Sequence, residues 1–308
     1  MAAKLRKQVF PVCGSPECPR QSQMFPFHFS KRSGTEFDGR WYCGSVCLQR
    51  AIRPAVQNLI SRFLFERPRT YRLPLGLLLV NRGHVTRSQL QEALRLQHEA
   101  GAGRLGAWLR HINAATEEQL VSALAQQWAC PVYPLERNPQ VVQWNDVAPF
   151  TLFQSARAVP AHASLDGKTL YVAFSERIDH TTLYALERML DCRTVGCVAS
   201  ENAVNDLLEA HSIAADRAEI SFDTLRDVPG ITSAICSYVQ QMEAPSLKLV
   251  RAGAHLWARL YRASQYRDMV FRILPPQNSN LERFQRTKEF MSSADTGDEG
   301  VAARSLVS

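Results

Sequence analysis

Long apolar runs are missing from this chain of 308 residues. No stretch approaches the roughly 20 successive apolar residues that cross a bilayer, so a membrane-spanning protein is not expected. The basic start Met1-Ala2-Ala3-Lys4-Leu5-Arg6-Lys7 is not followed by an apolar segment. A secretory signal is therefore not expected, and the protein reads as cytoplasmic. Blocks of about five or more like charges are also missing. The net charge of +7 permits contact with nucleic acid, acidic lipid or an acidic partner without requiring one. No phosphate-binding loop is present: Gly167-Lys168-Thr169 has His162 where that loop needs its first glycine, and no helix is expected after Thr169. The eight histidines are scattered, and none stands in a nucleophile motif with Ser or Cys. The expectation is a protein that is not an enzyme.

What is present is enough to fold. Apolar residues make up 45% and charged residues 21%, and the length suggests about two or three domains. Of the eight cysteines, Cys13, Cys18, Cys43 and Cys47 crowd into the N-terminal segment as two close pairs. In a reducing compartment such a cluster points to a metal site rather than to disulfides. Gly14-Ser15-Pro16-Glu17 forces a turn between the first pair, and the second pair opens a helix expected from Cys47 to Phe65. A turn and a helix N-terminus are places from which four thiolates can meet a tetrahedral zinc ion. The segment has few aliphatic residues before position 46, so metal binding would supply folding energy that burial cannot. The arrangement resembles a treble-clef zinc finger. Reduced unliganded thiols and His28 in place of one cysteine remain as alternatives. Arg20, Lys31, Arg32, Arg40, Arg50 and Arg53 surround the cluster, which keeps nucleic-acid contact open beside a plain solvated face. For Cys192 and Cys197, strand alternation sets the two side chains on opposite faces, against a second metal site.

The middle of the chain repeats itself. Leu75-Gly76 aligns with Leu105-Gly106, an offset of 30 residues. The same offset carries Thr86 onto Thr116, Gln89 onto Gln119, Leu90 onto Leu120, Ala93 onto Ala123, Leu94 onto Leu124 and Gln97 onto Gln127. Each copy reads as two short helices. Thr86 with Gln89, and Thr116 with Gln119, are capping boxes. Leu90 with Leu94, and Leu120 with Leu124, each form an apolar stripe. Gly83 ends the first helix of copy one.

Both copies resemble the tandem Arg-Leu-Gly motif in the N-terminal domain of the ATPases that drive type II secretion and type IV pilus assembly. The resemblance covers residues 70 to 215. It extends through Pro131-Val132-Tyr133-Pro134-Leu135, Ala158-Val159-Pro160 and the hairpin at Asp166-Gly167, and ends near His211. Some members of that family bind cyclic-di-GMP, one motif gripping each half. On that pattern the resemblance assigns nucleotide contact to Leu75, Gly76, Leu79, Gly83 and Gln97 in copy one. In copy two it assigns Arg104, Leu105, Gly106, Leu109 and Gln127. Copy one has Pro74 where the family has its arginine, with Arg72 two residues upstream; copy two has Asn113 in place of the second glycine. Proline offers no donor where a guanidinium offers a fork for phosphate or a guanine edge. Two readings follow: a cyclic-di-GMP site with one damaged half, or a fold kept for docking.

Beyond position 215, Gly230 to Met242 reads as a helix and Ser246–Val250, His255–Tyr261 and Tyr266–Ile273 as an antiparallel meander. Met269, Phe271 and Ile273 alternate against Val270 and Arg272, a half-buried pattern. This part resembles the small domain that precedes the ATPase core in the same family. The expected class is α+β and multidomain. Residues 1–66 form a treble-clef-like zinc finger and helix, and 70–215 the family-like domain (helical repeat 70–134, small α/β subdomain 135–215). Residues 216–276 form a small α+β domain, and 277–308 a tail expected to be disordered. No ATPase core is expected. The functional expectation is a regulatory or adaptor protein, with structural zinc, a cyclic dinucleotide as ligand and a secretion or pilus motor as partner. A zinc-finger nucleic-acid-binding protein and a ligand-free structural partner of such a motor are the alternatives.

Overall fold

A computed structural model describes residues 12–18, 34–65, 72–101, 103–137, 147–214, 219–224 and 227–273. His28, Arg20, Lys31, Arg32 and the C-terminal tail lie outside them. Among the described residues are nine α-helices and two sheets, a mixed α/β chain.

The repeat forms α2 (Leu75–Asn81), α3 (Arg87–Ala100), α4 (Leu105–His111) and α5 (Glu117–Trp128). Both capping boxes are made: Gln89 N donates to Thr86 Oγ1 at 3.2 Å and Gln119 N to Thr116 Oγ1 at 3.3 Å. The Gln side chains accept in return from the Thr86 and Thr116 amides at 2.9 Å each. Gly83 (φ 69°) ends α2, and Asn113 (φ 53°) holds the same left-handed position after α4. The replacement therefore keeps the backbone, because Asn tolerates that region better than most residues. The copies are interleaved: α2 packs on α5, and α3 on α4. Their shared core is built on Leu79, Val85, Ala93, Leu109, Leu120 and Ala123.

After the repeat, α6 (Phe150–Ala156) leads into a three-stranded sheet ordered β3-β4-β5. The strands are β3 (Ala158–Ala163), β4 (Thr169–Phe174) and β5 (Arg193–Val198). The first pair is antiparallel around the turn at Gly167 (φ 67°), and the second is parallel. The crossover between β4 and β5 is α7 (His180–Leu190), capped by Asp179, and α8 (Glu201–Ala214) follows β5.

The second sheet joins the two ends of the chain. Its order is β2-β1-β7-β8-β9-β6, with β1 (Thr35–Phe37) and β2 (Arg40–Tyr42) from the cysteine-bearing segment. The others are β6 (Glu219–Phe222), β7 (Ser246–Ala252), β8 (His255–Arg262) and β9 (Gln265–Arg272). The meander β7-β8-β9 is as expected from the sequence. The parallel additions of β1 to β7 and of β6 to β9 are not legible there. Residues 34–42 and 219–273 thus build one sheet, and the family-like stretch is inserted between them.

Both faces of this sheet are buried. Leu247, Leu256, Leu260, Met269 and Phe271 pack with α1 (Ser45–Phe65) and α9 (Val228–Met242), while Val250, Trp257 and Val270 join the core of the α/β subdomain. This corrects the half-buried pattern expected for the last strand, since Val270 is as buried as its neighbours. On the inner face, Asp268 accepts two bonds from Arg259 (2.7 and 2.8 Å) and one from Trp257 Nε1 (2.7 Å). Arg259 also donates to the Val147 carbonyl at 3.3 Å. A charge pair with side chains 3% exposed is tolerated because its polar atoms are partnered.

Candidate functional sites: a four-cysteine cluster and a cleft at the second repeat

Cys13 and Cys18 lie on a turn closed by the Cys18 amide donating to the Ser15 carbonyl at 3.2 Å. The turn is fastened to β2 by the Gly14 amide donating to the Trp41 carbonyl at 2.8 Å. The hairpin β1-β2 reverses at Asp38 (φ 51°) and Gly39 (φ 70°), a two-residue turn matched to strand twist. It delivers Cys43 directly after Tyr42, and Cys47 sits in the first turn of α1.

The four sulfur atoms lie within 4.8 Å of one another, with Cys18 to Cys43 at 3.5 Å and Cys43 to Cys47 at 3.9 Å. Bonds of about 2.3 Å to a tetrahedral ion set its sulfurs about 3.8 Å apart, so the spacing suits one metal. All four cysteines are free thiols. Burial, followed by hydrogen bonding to the neighbouring thiols, pushes Cys43 up to about 12 and raises Cys47. Cys43 and Cys47 thus resist ionising until a cation neutralises them, and metal binding would release their protons. The set is all sulfur, which leaves no water-bearing position for chemistry. Arg50 is held by the Glu17 carbonyl (3.0 Å) and carboxylate (3.3 Å) rather than standing free. This is the one cluster of potential metal ligands among the described residues, and it is the set named from the sequence.

The second site is a cleft of about 530 Å³ between copy two and the α/β subdomain. Of the residues assigned to nucleotide contact, Leu75, Arg104, Leu105, Gly106 and Gln127 line it. Gly76, Leu79, Gly83, Gln97 and Leu109 do not: Leu79 and Leu109 are fully buried in the repeat core, and Gly83 ends a helix. The two glutamines have symmetric partners. Gln97 Nε2 donates to the Gly103 carbonyl at 3.0 Å and Gln127 Nε2 to the Leu73 carbonyl at 2.7 Å. Each copy thereby pins the entry to the other.

Apart from Arg104, the cleft's charged lining was not legible as a site in the sequence. Arg104 forms an ion pair with Glu176, beside Arg157 at 3.8 Å from the same carboxylate. Burial, then the like charge of Arg157, lowers the Arg104 pKa, although a guanidinium stays cationic at neutral pH. Arg110 bonds Glu201 at 2.6 Å and lies 3.7 Å from Glu117, and Glu117 accepts from the Asn202 amide at 3.1 Å. These contacts stitch copy two to the start of α8. A partial signal existed: Arg110 and Trp128 are positions where copy two departs from copy one, which has Val80 and His98. Arg157 and Glu176 carry no local signal. In copy one, Pro74 takes the position before α2 that Arg104 takes before α4. The Arg72 guanidinium instead lies 3.4 Å over the ring of Trp128, which lines the cleft.

No family model matches the sequence, and no curated protein matches it. Among solved structures, one described as MshE with cdg is 34% identical, covering 45% of this chain and 99% of that chain, with a TM-score of 0.35. Two crystal forms of the N-terminal domain of XpsE are 15% and 18% identical, with TM-scores of 0.33 and 0.28. They cover 44% and 47% of this chain and 91% and 98% of their own. The chain thus spans nearly the full length of each of these structures with under half of its own.

Proposed function

We propose that this chain, which over 45% of its length belongs to the family of secretion- and pilus-ATPase N-terminal domains represented by MshE, is a non-catalytic regulatory or adaptor protein that binds cyclic-di-GMP. The observation that carries the reading is the cleft at copy two. Arg104 stands there beside Leu105 and Gly106, with a second arginine, Arg157, at the same Glu176 carboxylate. A guanidinium in that place offers paired donors to a phosphate or a base edge. MshE, the 34% identical relative, is described with cdg, the same class of ligand. Pro74 removes one donor from the other half, so affinity is expected to rest on copy two.

The four cysteines are read as a structural zinc site in a treble-clef-like arrangement, supported by the all-sulfur donor set and its spacing. The partner is read as a motor of the secretion or pilus class and the compartment as the cytoplasm. No helix among the described residues is long and apolar enough to cross a membrane.

Calorimetric titration of the full chain with cyclic-di-GMP tests the ligand. Binding is expected, and Arg104→Ala should weaken it about tenfold or more, the worth of one charged hydrogen bond. Absence of heat at millimolar ligand, or unchanged affinity in Arg104→Ala, would sink the reading and leave a docking domain.

A further inference from the structure

The cysteine cluster does not have a core of its own. Cys13, Cys18 and Cys47 are buried in one cluster with Ile52 and Tyr42 from their segment and Ile235, Leu247, Leu256 and Phe271 from the other end of the chain. The link between the two ends is short. Strand β1 pairs with β7 at Glu36–Ser246 and Phe37–Leu247 only. The Glu36 amide donates to the Pro245 carbonyl at 2.7 Å, and the buried Thr35 hydroxyl to the Ala244 carbonyl at 2.8 Å.

Strands β1 and β2 have three residues each, and an isolated hairpin of that size is not stable in water. What fixes it lies at its flanks: the turn bearing Cys13 and Cys18, tied to Trp41, and Cys43 at the exit of β2. One ion on these thiolates and Cys47 would clamp the turn, the hairpin and the start of α1 together. Helix α1 in turn packs along α9.

Resting on the metal reading above, we propose that a thiolate-bound divalent ion of the zinc class at Cys13, Cys18, Cys43 and Cys47 fastens a composite domain made from both ends of the chain. The ion keeps β1 on the edge of β7 and α1 on α9, so its occupancy governs the order of residues 228–252 as well as of the cysteine segment. The helical repeat has a separate core and keeps its order without the ion.

Hydrogen exchange on the full chain tests this, with zinc counted by elemental analysis before and after chelation under reducing conditions. Removal of zinc is expected to speed exchange about tenfold or more at 35–42, 228–242 and 246–252, reversibly on adding zinc back. Residues 75–128 should keep their protection. The variant Thr35→Val, which leaves every cysteine in place, should retain zinc yet speed exchange at 244–252. Zinc present but exchange changed only within 12–47 would overturn the fastening while sparing the metal site, as would loss of protection throughout 75–128. A chain that takes up no zinc, with exchange unmoved by zinc or chelator, would overturn the metal reading and this inference together.

Discussion

Copy one and copy two of the repeat share their caps, their left-handed helix ends and their interleaved core, yet they meet different surroundings. In copy two, Val121 is buried and Leu124 packs against the core of the α/β subdomain, while Arg110 and Glu117 reach α8. At the matching positions copy one has Gln91 and Leu94, both exposed, with Val80 and Arg87 in place of the ion-pairing residues. The apolar stripe expected from Leu90 and Leu94 thus holds as a buried face only for its counterpart in copy two; Leu94 is 45% exposed. Two segments with one local code acquire different roles because, among the described residues, only copy two packs against the α/β subdomain. The cleft belongs to copy two for the same reason.

The strongest way to break this comparison is in the shared core. Leu79 and Leu109 are both fully buried, and truncation of either to Ala should cost about 2–5 kcal/mol, by equal amounts if the core is symmetric. Denaturant unfolding of the two variants checks it; a clear inequality would mean that docking of copy two also supports its core. The glycines should separate the copies by sign. A Cβ on Gly76 would come within 2.6 Å of Leu90 and 3.2 Å of Leu105, whereas one on Gly106 meets Leu120 no closer than 3.7 Å. Gly76→Ala should therefore destabilise by about 1–3 kcal/mol through overpacking. Gly106→Ala should stabilise by up to about 1 kcal/mol through helix propensity. Melting curves would show shifts in opposite directions. The smallest effect tests the likeness: Thr86→Ala and Thr116→Ala each remove one side of a capping box and should each cost about 1 kcal/mol.

Local chemistry was legible residue by residue. The capping boxes follow from a Thr and a Gln three positions apart, and the helices then form where those caps place them. The Asp166-Gly167 turn reads as a hairpin for the same local reason, since its bonds close within a few residues. The four cysteines were legible because no short-range structural role explains two such pairs. By contrast, the partner of β1 lies about 200 residues away, and three-residue strands carry too few side chains to announce a pairing. The Arg259–Asp268–Trp257 cluster was hidden because alternation says which residues share a face, not that a second domain will cover it.

The sequence by itself determined the repeat, its caps, the glycine that ends its first helix, the four-cysteine grouping and the family resemblance of the repeat. Each of these is encoded in residues close together or in a pattern with a fixed period. Tertiary structure alone decided that the two ends of the chain share one sheet, that copy two rather than copy one faces the α/β subdomain, and that Arg104 meets Glu176 across a cleft. Those outcomes depend on which buried surfaces find each other. Hydrophobic burial is non-directional, so the sequence pattern states how much surface must be covered and leaves the choice of cover to the fold.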